Sequence, residues 1–521
     1  MKATVISSAD IKDNILIPKY YNNKIESSMS QLGDNLRLLN LGQLIDDGVI
    51  SVCSGDEPGK MAYGTGDIPF VRTSDISNWE IKTIPKQGVS ETIYQQYAAK
   101  EDVQPGDILL VKDGTYLIGT SCIVTPLDTP MLFQSHIVKF RVEDPSVVTT
   151  EMFFIALNTP LVQQQIRAFQ FTADIIDTIG TRYREIMLPI PIDVDTRKRI
   201  EVIVGDALKK RMHARTIVKQ FPVLIEKALQ EGSMRAFREF DNLPFDAQMN
   251  QLVSDTSTLE FGQGSKYAMR SDAIVDNIFI PKYYDPMINE DLDTLAETCD
   301  LVTIAELVED GVLSLASGDE PGKMAYGTGT IPFVRTSDFA NWEIKHDPKQ
   351  GVSEQIYNAY ATKEDVQAED ILLVRDGTYL IGNTCIITPE KSKMLYCGGL
   401  IKIRALDQKR VSSFLLLALL NSYIVKRQIR SKQFTRDVID TLGNRFPEIV
   451  LPIPKNKTLR DEIAEYVRNI IIDRIMGKDD IEAFAFGISW LAHDEVPIYD
   501  TFGLHIMGGR GMRNGRRATM I

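Results

Sequence analysis

Two carboxylates followed by a lysine stand twice in this chain. Asp75, Glu80 and Lys82 fall in DISNWEIK, and Asp338, Glu343 and Lys345 fall in DFANWEIK. Acidic pairs with a nearby ammonium are the set with which many nucleases hold Mg²⁺ and activate water. The spacing also arises by chance in a chain with 25% charged residues, and no further nuclease signature surrounds it, so the competing reading is that these side chains serve the local fold. SGDEPGKM, at 54–61, invites a second reading, in which backbone amides of a Gly-rich loop cradle phosphate and Lys60 meets it. The position after Lys60 is Met61, however, where a nucleotide loop needs a hydroxyl for magnesium. The five histidines do not pair at metal-ligand spacing, and Cys53, Cys122, Cys299, Cys385 and Cys397 form no CxxC pair, so a zinc site is not expected. No Gly-rich methyl-donor loop and no NPPY- or DPPY-like motif occurs. The chain reads as one without chemistry of its own.

Both sets occur twice because most of the chain does. SGDEPGKMAYGTG begins at 54 and again at 317; IPFVRTSD at 68 and 331; NWEIK at 78 and 341; PKQGVSE at 85 and 348; KEDVQ at 100 and 363; DGTYLIG at 113 and 376. Each recurs after a shift of 263 positions, and 56 of the 70 residues from 54 to 123 are identical under it. The same shift aligns DNILIPKYY (from 13) with DNIFIPKYY, and IIDTIGTRYREIMLPIP (from 175) with VIDTLGNRFPEIVLPIP, without an insertion. A period this long is a duplicated domain rather than a solenoid.

The elements that must position these residues are mixed, which predicts an α+β fold. Ile68–Val71, Ile108–Val111 and Ile371–Val374 are short apolar runs beside Gly-containing turns and read as strands. SETIYQQYAA from Ser90 reads as a short helix with Ser90 at its N-cap. Thr150–Phe169 and Ser412–Lys432 read as amphipathic helices, and the run from Phe414 to Leu420 as buried helix too short to span a bilayer. LPIP, at 188–191 and 451–454, is expected to end each module, because its prolines continue neither a helix nor a central strand. A long helix then follows. In the first copy Ile200, Ala207, Ala214, Phe221 and Ala228 fall seven apart, with Ile203, Ile217 and Leu224 on the second seam and Lys210 its one polar member. Pro222 is expected to kink it. The stripe in the second copy, Leu459, Ile463, Val467, Ile470 and Ile471, is shorter and ends near Gly477. The predicted division is a first module over 1–192, a helix over 193–232, a polar connector over 233–268, a second module over 269–454, a helix over 455–478, and an extension over 479–521 whose Gly- and Arg-rich end reads as a disordered tail.

The net charge of −13 weighs against a protein that coats DNA by charge alone, although it permits local basic faces. Five scattered cysteines and the absence of a leader-like N-terminus fit a reducing cytoplasm. Cys122 and Cys385 lie in apolar runs and read as small core residues.

The ordered motifs resemble those of the specificity subunits of Type I restriction–modification systems. That family carries an IPxxRxxD start to each recognition domain, a GDILLxRxGT strand and turn, and an IPxPxxxxQxxI lead into a long helix. Here they stand as IPFVRTSD, GDILLVKDGT (EDILLVRDGT in the second copy) and LPIPIDVDTRKRI (LPIPKNKTLRDEI), in that order and twice, over about residues 10–230 and 270–478. Arg197 and Lys198 stand where the family has its glutamine, and here the recognition domains match while the helices diverge. The resemblance implies two target-recognition domains in pseudo-two-fold arrangement with antiparallel spacer helices, no catalysis and no cofactor in this chain. It also implies that each domain reads half of a bipartite DNA site. Two methyltransferase subunits would dock on the helices and use S-adenosylmethionine. A restriction subunit using ATP and Mg²⁺ would be a further partner. Two near-identical readers would favour a near-palindromic target, with differences between its halves tracing to segments such as Leu127–Ile137 against Glu390–Ile401.

Base reading needs donors and acceptors on rigid supports. The candidates are polar residues present in both copies: Arg72, Thr73, Ser74, Asn78, Lys86 and Gln87, with Arg335, Thr336, Ser337, Asn341, Lys349 and Gln350. Lys60 and Lys323 in the Gly-rich loops, and Lys112, Arg375, Tyr116 and Tyr379 around the DGT turns, complete the set. Each of these competes with a solvated or structural role, and Trp79 and Trp342 compete between base stacking and core. Two other functions stay open on the sequence alone, a duplicated metal-dependent nuclease and an acidic interaction or DNA-mimic protein.

Overall fold

A computed structural model describes residues 35–248 and 270–490, with breaks at 115, 174–175, 246, 249–269, 276–277, 347, 378–379 and 437–438, together with residues 11, 15–21 and 29. Tyr379, most of the 233–268 connector and the chain beyond 490 lie outside the described residues. Helices and strands are mixed throughout, as the α+β expectation has it. The chain divides into two compact units. The first holds residues 1–81, 85–211 and 475–521, the second 82–84 and 212–474.

In the first unit a four-stranded antiparallel sheet runs in the order 50–54, 137–142, 108–111, 121–123. The central strand Ile108–Val111 is buried along its length, which is why it reads as a continuous apolar run instead of an alternating one. Ile68–Val71 sits between Gln87–Val89, antiparallel, and Leu132–Phe133, parallel. A third sheet joins 171–173, 176–178 and the Asp113–Gly114 pair of the DGT turn. The second unit repeats these sheets with 313–317, 400–405, 371–374 and 384–386, then 350–352, 331–334 and 395–396, then 376–377, 439–441 and 434–436. Cys122 and Cys385 are fully buried, and all five cysteines are free thiols.

Several elements differ from the sequence reading. LPIP is itself the last strand before each long helix: Met187–Pro191 pairs antiparallel with Leu36–Asn40, and Val450–Pro454 with Cys299–Thr303. Each pair is a two-stranded sheet, so every strand has a free edge, and the missing proline N–H groups cost no ladder bond there. Each stretch expected as one amphipathic helix is two helices. Thr150–Asn158 stops before Pro160–Phe169, where Thr159 caps the new helix by accepting from the Val162 N–H and Pro160 supplies a first turn that needs no donor. In the second unit Ser422 caps Tyr423–Lys432 after Ser413–Leu420, every residue of which is buried. The connector begins with a helix, Arg235–Asp241, that buries Ala236, Phe237 and Phe240. Phe237 meets Phe221 and Tyr466, with ring centroids 5.6 and 4.7 Å apart.

The first long helix spans Val194–Glu231, with Pro222 inside it, and the second spans Lys457–Trp490. The second therefore does not stop at Gly477. A Cβ built there would lie 2.7 Å from Arg211 Cγ and 2.9 Å from the Ala207 carbonyl oxygen. The glycine thus marks a close approach to the first helix rather than a helix end. Ile481 and Phe484 beyond it join Ile200, Val204 and Ala207 in the first unit's core. The buried stripe of the first helix also differs from the heptad reading. Val204 and Arg211 are buried, whereas Ile203 and Lys210 are half-buried, because a straight helix of 3.6 residues per turn drifts off a strict seven-residue repeat.

Candidate nucleic-acid interface

Whether the site could be a catalyst turns on the duplicated carboxylates. Ile76–Ser77 and Glu80–Ile81 form a hairpin closed by Asn78 and Trp79, both left-handed at φ 51° and 63°. Two positive-φ residues in a two-residue loop make the primed turn that matches strand twist, and asparagine suits its first position. Phe339–Ala340 and Glu343–Ile344 repeat it through Asn341 and Trp342, at φ 51° and 67°. The turn holds Glu80 inward, where the Arg211 guanidinium Nη2 lies 3.3 Å from its Oε2 and donates to the Asn78 carbonyl at 3.3 Å. In the second unit Arg474 Nη2 lies 2.8 Å from Glu343 Oε2. The two arginines, each only 1% exposed, are among the largest fully buried side chains described. Asp75 and Asp338 accept from the backbone N–H of Arg72 and Arg335 at 3.0 and 2.9 Å, closing the turn that follows each IPFV strand. Burial pushes the Asp338 carboxyl up, against the pull of Lys345. These are the contacts of structural anchors, and among the described residues no three His, Cys, Asp or Glu side chains are grouped to hold a metal. Sequence reasoning missed the arginines. The available signal was that the shift of 263 carries Arg211 onto Arg474 although the helices around them diverge.

The tryptophans also turn inward. Trp79 is half-buried and its Nε1 donates to Asn158 Oδ1 at 3.0 Å; Trp342 is buried, edge-on to Phe221 with centroids 4.9 Å apart. Asn341 Oδ1 accepts from the backbone N–H and hydroxyl of Thr83 at 3.0 and 2.6 Å, so this candidate sits with the hairpin anchor.

A different group of candidates converges on the surface around the DGT turn. In the first unit Lys112 Nζ lies 3.5 Å from Ser54 Oγ at the start of the Gly-rich loop. Glu57 of that loop accepts from Ser135 at 3.0 Å and from the Tyr63 hydroxyl at 3.1 Å. His136 Nδ1 lies 3.2 Å from Asp113 Oδ2, and the Thr178 hydroxyl donates to the other oxygen. In the second unit Arg375 takes the place of Lys112. It donates to Ser317 Oγ at 3.3 Å, to Asp376 at 2.9 Å and to the Gly398 carbonyl at 2.6 Å. Glu320 accepts from the Gly398 N–H at 3.2 Å and from Tyr326 at 3.1 Å, and the Thr441 hydroxyl donates to Asp376 at 2.5 Å. Thr336 borders this cluster, its Cγ2 being 3.0 Å from where a Cβ on Gly399 would stand. Lys60 and Lys323 are exposed on the loop tips beside Met61 and Met324, which are each 92% exposed. Lys86 and Lys349 are exposed; Gln87 and Gln350 pair opposite Phe70 and Phe333 at strand edges. Arg72, Thr73 and Ser74 are half-buried in the turn after the IPFV strand, while their counterparts Arg335 and Ser337 are exposed. Tyr116 is half-buried.

A buried glutamate sets the loop. Glu101 accepts from the backbone N–H of Phe133 at 2.9 Å and of Asp56 at 3.1 Å, and Glu364 accepts from Tyr396 and Asp319 at 2.9 and 3.2 Å. Gly55 allows the approach, since a Cβ there would lie 2.2 Å from the Phe133 carbonyl. Burial pushes the Glu101 carboxyl up to about 8 and that of Glu364 up to about 7, from an ordinary 4.5, outweighing the backbone donors that pull both down. The folded state thus holds these protons more tightly than the unfolded chain. Their stabilising contribution is whole below pH 4.5 and is lost as pH rises through about 7 and 8. Urea melts are expected to show stability falling from pH 6 to pH 9, and the Glu101→Gln, Glu364→Gln double variant to flatten that decline; a parallel slope in both proteins would refute the assignment.

No family model matches the chain, and no curated protein matches it. Among solved structures it is similar to the S subunit of a Type I restriction–modification system from M. genitalium, at 12% identity and a TM-score of 0.33 over 88% of this chain and 96% of that one. It is likewise similar to the HsdS subunit from Thermoanaerobacter tengcongensis, at 15% identity and a TM-score of 0.26 over 88% and 97%. A structure described as showing complex assembly and conformational transition of the type I R-M system matches at 13% identity and a TM-score of 0.26, over 89% and 99%.

Proposed function

We propose that this chain is the DNA sequence-specificity subunit of a Type I restriction–modification system and catalyses nothing itself. The observation that carries this reading is the duplicated polar cluster around the DGT turn, in a unit whose hairpin is tied to a long helix by a buried Arg–Glu pair at the same register in both copies. A reader needs side chains held on a rigid frame, and a spacer needs that frame fixed to a helix of set length. Each unit would read half of a bipartite, near-palindromic double-stranded site. Methyltransferase subunits carrying S-adenosylmethionine, two of them, would dock on the helices, with a restriction subunit using ATP and Mg²⁺ as a further partner. Free thiols at all five cysteines suit work in the cytoplasm.

The test is a map of methylated adenines in the native cells with the gene intact and deleted. A split motif present only with the gene supports the reader function. Methylation that is the same in both strains rejects it.

A further inference from the structure

Resting on that reader function, we infer that Lys112, Ser135 and His136, against Arg375, Gly398 and Gly399, are the residues by which the two units read different bases. The two clusters are otherwise built from the same parts. Ser54, Glu57, Tyr63, Asp113 and Thr178 match Ser317, Glu320, Tyr326, Asp376 and Thr441 under the shift of 263, and their contacts match as well. Among the residues just named and the side chains that meet them, these three positions are the ones that change.

The change in chemistry is large. The first unit presents a lysine ammonium, a compact charge 3.5 Å from Ser54, and an imidazole resting on Asp113 at 3.2 Å. The second has no side chain at the two equivalent turn positions. There Arg375 folds across the vacated turn, held by the Gly398 carbonyl at 2.6 Å, Asp376 at 2.9 Å and Ser317 at 3.3 Å. With its Nε and both Nη2 hydrogens taken by Asp376 and the Gly398 carbonyl and one Nη1 hydrogen by Ser317, the guanidinium has a single N–H left, aimed in a fixed direction at one base acceptor. An ammonium on a flexible stem does not distinguish bases in this way. The half-sites are therefore expected to agree except at one position or two adjacent ones, where the first unit offers an ammonium and an imidazole and the second a single directed N–H donor.

The experiment uses the deleted native strain complemented with the full chain. The Lys112→Arg, Ser135→Gly, His136→Gly triple variant converts the first cluster into the second. The methylated motif is expected to change at the divergent position only, so that its two halves become the same. A wild-type motif with identical halves, or with halves unrelated throughout, overturns the inference. So does a motif left unchanged by the triple variant. If the wild-type chain directs no methylation, the reader function itself fails, which is a separate result. His136→Gly alone, which removes a side chain from a half-buried turn, serves where the triple variant is not produced: it must relax the preference at the divergent position, and an unaltered motif counts against the inference.

Discussion

Replacing Arg211 by alanine is expected to destabilise the protein by about 3–5 kcal/mol, and Arg474→Ala to do the same. Each guanidinium is 1% exposed and faces a glutamate that is itself buried or nearly so. Removing one member takes from the other the ion pair that helps hold its charge in the interior, which costs far more than the pair contributes. The companion Arg211→Met, Glu80→Leu variant removes both charges together and is expected to fall within about 1–2 kcal/mol of wild type, because apolar replacement of a whole buried pair is often neutral. Urea titration of the three proteins decides the matter. Equal losses in the single and double variants would mean that the arginine contributes packing alone. The comparison also separates anchor from catalyst: a nuclease would lose cleavage in Glu80→Ala at unchanged stability, whereas an anchor loses stability.

That pair shows how far the sequence could be read. The duplication was visible at a glance, and with it the mixed strands and helices of each copy, because a shift of 263 preserves whole motifs. The strand Ile108–Val111 and the Ser90 cap were legible because their signals are local, an apolar run and a hydroxyl before a helix. What was hidden depends on partners distant in the chain. Glu80 and Lys82 looked like a metal site because nothing near them in sequence discloses Arg211, 131 positions on. Gly477 looked like a helix end because its reason is the Ala207 carbonyl on another helix. Ser135 and His136 were only part of a divergent segment until the turn brought them against Glu57 and Asp113.

The Lys60→Ala, Lys323→Ala variant is expected to bind its DNA target about 30-fold more weakly at 0.15 M salt while keeping its base preference. Between the copies exposed positions have drifted, Thr92 to Gln355 and Gln96 to Ala359, and so have buried ones, Ile76 to Phe339 and Phe133 to Tyr396, whereas the largely exposed loops 54–66 and 317–329 are identical. Packing constrains a core and leaves an exposed loop tip free, so an unchanged tip over a changed core points to something that touches the tip. The tip offers an ammonium beside a methionine that is 92% exposed, on a loop fixed at its base by Glu101. Under the proposed reader function, an ammonium on such a loop would meet phosphate, a contact that holds a protein in register and carries no base information. Two lost phosphate contacts reduce the slope of log K against log salt by about 1.8, and that change extrapolated from 1 M to 0.15 M salt is the 30-fold loss. Binding measured from 0.05 to 0.3 M salt tests it: a slope equal to wild type removes the lysines from the interface, and an altered base preference makes them readers rather than phosphate contacts.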